Sequence, residues 1–407
     1  METNGQDRPI ALLGALCIFF SGLEYVIPKP LPFIRIGLAN IPLLLALDIF
    51  PLKRFALLVL LKVLGQALIT GTLFSYVFFF SLAGTVSSAA CMYLFRRTAG
   101  PGILSFTGIS VLGALASNVS QLVMARLFIF GGETRYLIPP LLLAALISGA
   151  GLGLFCEAFA GRSRWYRLQR GLVPGGTSGV QEGLAQASAV LREDTAPLAP
   201  PSRAEVFRRK RRRMWEATFR SGDLFAAALV MAPLFLLNDS LPLRGIQFLL
   251  FWFFSFLRGK KNRPLVTLLV MAVIVLFNLQ SPYGKVLADF GFFRITRGSL
   301  SAGLHKALSL EGLIMLSHAA LSPALRIPGA FGKLLGSSLA MFEQMSERRH
   351  LITRERPIEG IDALLLELSR SAGDARPSSP ERSLPGVCLI VLAVLVIAGL
   401  TVLSWCF

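Results

Sequence analysis

Two long apolar stretches of this chain are separated by a polar connector running from Arg162 to Arg220, and that connector limits what the rest can fold into. Its middle is rich in Gly, Pro, Ser and Gln, and near its end stands the basic run Arg208, Arg209, Lys210, Arg211, Arg212, Arg213. Lys and Arg resist translocation and are drawn to anionic headgroups on the cytoplasmic side, so the connector is expected to be a cytoplasmic tether that orients both flanks. The flanks hold too much apolar surface for one soluble core, since 54% of the 407 residues are hydrophobic and 16% charged. The expectation is an all-α, polytopic helical membrane protein with about eleven transmembrane helices in two bundles, sited in the cell (inner) membrane.

The formal charge of +18 does not point to nucleic acid, because Lys and Arg cluster in short segments beside apolar runs, where topology accounts for them. Cys17, Cys91, Cys156, Cys388 and Cys406 lie inside apolar runs with no metal-ligand spacing, as core thiols do, and no cofactor is expected.

Residues 1–162 make the first unit. Its apolar runs fall near 10–27, 33–50, 55–72, 74–95, 105–130 and 137–161, each close to the roughly 20 residues a crossing needs. The first follows Arg8 but has no A-x-A-like cleavage site, so it reads as a span rather than a signal. The second has Arg35 and Asp48 near its ends and Pro42 within. With a cytoplasmic N-terminus, Lys53 and Arg54, Arg96 and Arg97, and the Arg162–Arg170 cluster fall inside, while the uncharged Thr70–Thr72 turn falls outside. Lys29, Arg35 and Arg135 depart from that alternation.

Polar side chains within these spans are the functional candidates, because desolvating them is costly unless they meet a partner or a cavity. Lys62 and Gln66, four apart, share one helix face; Asn118 and Gln121, three apart, share another. With Asn40 they form a candidate pocket for a polar or anionic small molecule, Lys62 being its charge partner. The other role open to them is interhelical bonding, with Lys62 paired to Glu24 or Asp48. Ala11 and Ala15, one turn apart beside Gly14, give a small-residue face against which another helix can pack closely.

The run Ile34-Arg35-Ile36-Gly37-Leu38-Ala39-Asn40-Ile41-Pro42, with Gly65-Gln66, Phe74, and Gly113-Ala114 through Asn118 to Gln121, resembles the Gx transporter family, also labelled heptaprenyl diphosphate synthase component I. That family is similar to the substrate-binding S components of energy-coupling factor (ECF) transporters. The resemblance covers about 8–162 and implies six helices, with Ala11 and Ala15 matching the face that docks a transmembrane partner. A prenyl diphosphate synthase would need Asp-rich Mg²⁺ sites; no DDxxD-like cluster occurs, so catalysis by this chain is not expected.

Residues 163–214 are expected to be a flexible basic linker, and 215–407 a second membrane unit. Its apolar runs are near 222–237, 241–257 and 264–280, with the turn bearing Arg258, Lys260, Lys261 and Arg263 inside and Asn238–Ser240 outside. Pro233 is expected to kink its helix and Pro264 to open one. Thr296 or Ser299 should cap a helix running through Leu321. Ile295-Thr296-Arg297-Gly298 with Leu300, Gly303 and Leu304 resembles the T component of ECF transporters, the scaffold that couples ATPases to the S component; the Asp-Pro signature often near its start is absent. His305 and His318 have only Glu311 between them, which suits packing better than proton relay.

Between about 327 and 371 two one-sided helices are expected, with ridges Leu335, Leu339, Phe342 and Ile358, Ile361, Leu365, Leu368, lying on the membrane surface or presented to a soluble partner. The T-component resemblance implies ATPase contacts through a small-Arg-small motif: Ser369-Arg370-Ser371 has that form, and Arg348 and Arg349 are further candidates. A Pro/Ser-rich linker, 371–384, leads to a last span, 387–407.

No Walker A run, H-E-x-x-H or CxxC occurs. The leading reading is a non-enzymatic transport protein, an S-like unit fused to a T-like unit and powered by separate ECF-type ATPase subunits, with a small-molecule substrate and membrane lipids as its other partners. The alternative is a non-catalytic membrane accessory of polyprenyl (heptaprenyl) diphosphate biosynthesis.

Overall fold

The computed structural model describes residues 7–26, 36–172, 203–260, 263–280, 283–289, 294–322, 325, 327–349, 352, 356–369 and 384–406. Its first helix, α1 (Arg8–Val26), is apolar around its circumference, and every residue from Ile10 to Ser21 is buried. A helix without a polar face suits a protein interior as well as lipid. Here α1 takes the interior, packed against α3 (Leu52–Thr70) and, from the other half of the chain, α13 (Gly329–Glu347).

The expected second crossing is not a span. Gly37 adopts φ 90°, a left-handed turn that glycine makes at little cost. A 3-10 turn (Leu38–Asn40) and the six-residue α2 (Ile41–Ala46) follow. At about 1.5 Å per residue α2 rises roughly 9 Å, far short of a bilayer core of about 30 Å. All its residues are buried, so this run is apolar because it fills the bundle.

Helices α4 (Tyr76–Ile103), α5 (Phe106–Ala125) and α6 (Ile138–Arg162) complete the first bundle. A π-helical turn (Arg126–Phe130) and a 3-10 turn (Gly131–Leu137) fold α6 back onto α5. Gly149 and Gly153 allow the close approach: a Cβ on Gly153 would stand 2.3 Å from Thr107 Cα.

The connector is not loose throughout, contrary to expectation. It contains α7 (Arg164–Gln169) and α8 (Arg203–Thr218), with 173–202 outside the described residues. Trp165 and Tyr166 are buried, and Asp362 holds the start of α7 by accepting from Arg164 N and Trp165 N, each at 3.0 Å, and from Ser163 Oγ.

The second half comprises α9 (Ser221–Leu236), α10 (Leu241–Leu257), α11 (Pro264–Leu279), a two-stranded antiparallel ribbon of β1 (Val286–Asp289) and β2 (Arg294–Thr296), α12 (Arg297–Ala320), α13, α14 (Pro357–Leu368) and α15 (Leu384–Cys406). The ribbon qualifies the all-α expectation. Pro264 opens α11 and Thr296 caps α12 as expected, while Pro233 lies inside α9 close to its end. The hub is α12, flanked by α9, α10 and α11 and buried from Ala307 to Ala320; α15 closes against α9 and α10.

By length and composition, three helical stretches among the described residues can cross a membrane: Tyr76–Ala99, Phe106–Arg162 and Leu384–Trp405. Val206–Thr218 and Ser221–Leu236, bent by 87°, would make a fourth; Leu241–Leu257 and Pro264–Leu279 are apolar but shorter. The expected count of about eleven is therefore not confirmed. The 57-residue stretch is itself a hairpin, because α5 and α6 pack side by side.

The two halves share their cores. One apolar cluster runs through α1, α2, α3, α13 and α14, and a second joins Phe80, Leu122 and Ile129 to Ile274, Leu310 and Ile314. The first bundle lies crosswise to the second. At one end of α11 Lys260 Nζ reaches Ile69 O at 3.5 Å, and near its other end Phe277 packs on Phe130 with ring centroids 5.0 Å apart. Thus the α3–α4 turn and the α5–α6 turn lie along the length of α11 rather than at one of its ends. His318 Nε2, 3.0 Å from Thr70 O, and Ser317 Oγ, accepting from Phe74 N at 2.9 Å, fasten the same seam. His318 is therefore a packing residue, as its sequence context suggests.

Candidate functional site

The Gly37 turn brings Asn40 over α3, where its Oδ1 accepts a hydrogen bond from Lys62 Nζ. Lys62, 3% exposed, and Gln66 share one face of α3; Asn118 and Gln121 project from α5 toward them. All five predicted pocket residues, Asn40, Lys62, Gln66, Asn118 and Gln121, line one cavity. Of the two partners left open to Lys62, Asp48 is engaged elsewhere, taking Arg96 through both oxygens at 2.8 and 2.7 Å, Tyr166 Oη at 3.0 Å and Arg170 at 3.6 Å, while Glu24 borders the same cavity as Lys62.

Further residues complete the lining. Glu24, whose carboxylate accepts from Ile36 N at 2.7 Å and Gly37 N at 3.2 Å, anchors the left-handed turn and borders the cavity. Ser81 and Thr85 add hydroxyls from α4, Ser110 and Ser117 from α5 and Ser148 from α6. The signal for Ser81 and Thr85 was present, as hydroxyl residues spaced four apart on one face of an apolar helix. Gly84 makes room for this chemistry, since a Cβ there would fall 2.7 Å from Gln121 Nε2 and 2.8 Å from Ser117 Oγ.

Gln121 Nε2 donates to Ser117 Oγ at 3.0 Å and Asn118 Nδ2 to Ala114 O at 3.1 Å, but Gln66 Oε1 and Gln121 Oε1 are buried with no hydrogen-bond partner. Each such orphan acceptor costs about 1–3 kcal/mol, which a ligand offering donors would recover. The cavity between these groups measures about 30 Å³, space for a few waters at most, so a larger ligand must part the helices that line it.

Ala11 and Ala15 are buried, and the small-residue face they share with Gly14 is occupied by α13 of the same chain. A Cβ on Gly14 would stand 2.9 Å from Ser338 Oγ. The ridges of α13 and α14 face inward as well: Leu335, Leu339, Ile358, Ile361, Leu365 and Leu368 are buried in the shared core. They are neither laid on a membrane surface nor held out to a soluble partner, because α1, α3, α6 and α7 supply the apolar surface they need.

Of the three coupling candidates, Arg348 is tied to Glu367 at 2.5 Å, joining the ends of α13 and α14. Arg349 is exposed, and Arg370 lies outside the described residues. No group of His, Cys, Asp and Glu suited to a metal is found among the described residues.

A helical protein with stretches apolar enough to cross a membrane, a polar pocket within one bundle and a second bundle docked across it is the class that fold and site define. Residues 13–159 match the family of heptaprenyl diphosphate synthase component I, the Gx transporter family. Residues 223–322 match a domain of unknown function, DUF8519, so the likeness of that half to T components gains no support from the match. No curated protein and no solved structure matches the chain.

Proposed function

We propose that this chain is a transport protein of the inner membrane whose N-terminal bundle binds a small polar molecule and whose C-terminal half couples that bundle to separate ATPase subunits, as fused S and T components of an ECF-type importer. The observation that carries this reading is the convergence of Asn40, Lys62, Gln66, Asn118 and Gln121, from three elements, on one cavity with unpartnered acceptors. Polar groups desolvated at this density are retained where they serve a ligand. The crosswise posture agrees with it. Charge placement puts the Thr70–Thr72 turn outside and the Lys260 turn inside, yet the two touch, as they would in a bundle tipped on its side within the membrane.

The second reading, an accessory of prenyl diphosphate metabolism, draws on the family's printed label. The pocket suits it less well. A prenyl chain needs an apolar channel, and a diphosphate would meet Glu24 across from the single cation Lys62. The absence of an Asp-rich cluster in the sequence speaks against synthase chemistry in this chain under either reading. Coupling to the ATPases is assigned to Arg349 and Arg370, since Arg348 is held by Glu367.

The test is native mass spectrometry of the full chain purified in mild detergent, with and without Lys62→Ala. Retention of a small polar molecule by the parent and its loss in the variant supports the reading; equal occupancy in both, or retention of a prenyl diphosphate, overturns it. Loss of co-purifying ATPase on Arg370→Glu tests the coupling half separately.

A further inference from the structure

A second cavity, sharing no lining residue with the Lys62 pocket, lies on the seam between the bundles, and the charged side chains that line it are cationic. It is lined by Arg244 from α10, by His305, Lys306 and Ser309 from α12, and by Tyr76, Phe128 and Ile129 from the first bundle. At about 100 Å³ it holds several waters, against a need of about 10–15 Å³ for one, and so has space for a group of four or five heavy atoms.

Arg244 is 6% exposed. Part of its role is structural: Nη2 donates to Leu236 O at 3.0 Å and to Asn238 O, closing the C-terminal end of α9. Nη1 donates to Ser309 Oγ at 2.7 Å, and Ser309 Oγ in turn donates to His305 O at 2.7 Å. Nε is buried with no hydrogen-bond partner. Lys306 Nζ donates to Asn278 Oδ1 at 2.8 Å, a neutral acceptor, which leaves its charge unmatched. Among the described residues no carboxylate forms an ion pair with Arg244, His305 or Lys306, and the nearby Asp239 is exposed.

Burying the Arg244 guanidinium beside the half-buried Lys306 and His305, with only the exposed Asp239 as a nearby carboxylate, is costly. Capping the end of α9 explains Arg244 alone; it leaves its Nε, Lys306 and the cavity between them unaccounted for. We propose that this seam cavity binds a phosphate-type oxyanion, held by Arg244 Nε, Lys306 Nζ and the His305 ring. Arg244 supplies one rigidly held N–H and a delocalised charge, and Lys306 a mobile point charge, a pairing that suits a tetrahedral anion. Tyr76 enters from the other bundle, so the occupant touches both and strengthens their docking. The oxyanion is either the headgroup phosphate of a membrane lipid, whose chains would run along the exposed Leu127 and Phe128, or free phosphate.

The experiment uses the full chain in a phosphorus-free detergent, comparing parent, Lys306→Gln, His305→Gln and Lys62→Ala. Native mass spectrometry reads phospholipid adducts; after delipidation, the rise in Tm with added inorganic phosphate, against equal chloride, reads the free anion. One retained phospholipid per chain identifies the headgroup source, and a phosphate-dependent Tm rise without it identifies the free anion. In either case Lys306→Gln should weaken occupancy roughly tenfold or more, as loss of a charge-assisted contact does, with His305→Gln acting in the same direction and Lys62→Ala leaving it unchanged. The proposal is overturned if the parent binds neither form, or if Lys306→Gln and His305→Gln bind as the parent does. His305→Gln keeps volume and polarity, so it remains informative should Lys306→Gln fail to fold.

Discussion

Docking of the two halves can be tested at a single oxygen atom. A Cβ at position 14 would lie 2.9 Å from Ser338 Oγ, but 3.4 Å from Leu61 Cδ1 and 3.5 Å from Ser338 Cβ. Only the first distance is a clash, and that oxygen is tied back by its 3.0 Å hydrogen bond to Leu334 O. Gly14→Ala therefore gains roughly 1 kcal/mol of helix propensity and loses about 1–3 kcal/mol to overpacking, a net destabilisation between zero and about 2 kcal/mol. A cycle with Ser338→Ala separates the two terms. The propensity gain occurs with or without the oxygen and cancels, leaving a coupling of about 1–2 kcal/mol, or 5- to 30-fold in the opening equilibrium of α13. Amide hydrogen exchange across Gly329–Glu347, on the four proteins in nanodiscs, reads that equilibrium. Effects that add to within about 0.3–0.5 kcal/mol would refute the close seating of α13 on α1.

Replacing Gly37 with alanine puts a side chain at φ 90°, which costs about 1–2 kcal/mol, and brings its Cβ to 3.3 Å from Asn40 Nδ2. Both Tm and ligand retention should fall; unchanged retention would show that Asn40 is not held by this turn. Asp48→Ala strands Arg96 in a site where the two side chains are only 7% and 10% exposed, for an expected loss of about 3–5 kcal/mol. Adding Arg96→Met should restore most of that Tm, and failure to do so would mean that Tyr166 and Arg170 carry the site.

The pocket was legible before the fold because its evidence is chemical and local. An ammonium at 62 and carboxamides at 40, 66, 118 and 121, set in otherwise apolar runs, need partners wherever the helices go, and spacings of three and four put neighbours on one face. Glu24 was legible only as a possible partner for Lys62; its hold on the backbone of Ile36 and Gly37 was not, because that is an association no spacing encodes. The ion pair of Arg348 was not legible for a related reason: its partner Glu367 is near in space but belongs to another helix.

By itself the sequence determined that this chain is helical, apolar enough to cross a membrane in places, and furnished with a desolvated polar cluster. Those properties follow from composition and from the period of the helix. It could not say which apolar runs face lipid and which face protein, because both are hydrophobic for the same thermodynamic reason. Only the tertiary structure decided that α1 and α2 are interior, that α13 and α14 spend their ridges on the first bundle rather than on a partner, and that the bundles cross. Those outcomes depend on glycine-lined close contacts such as Gly14 with Ser338 and Gly153 with Thr107, which exist only once distant segments have met.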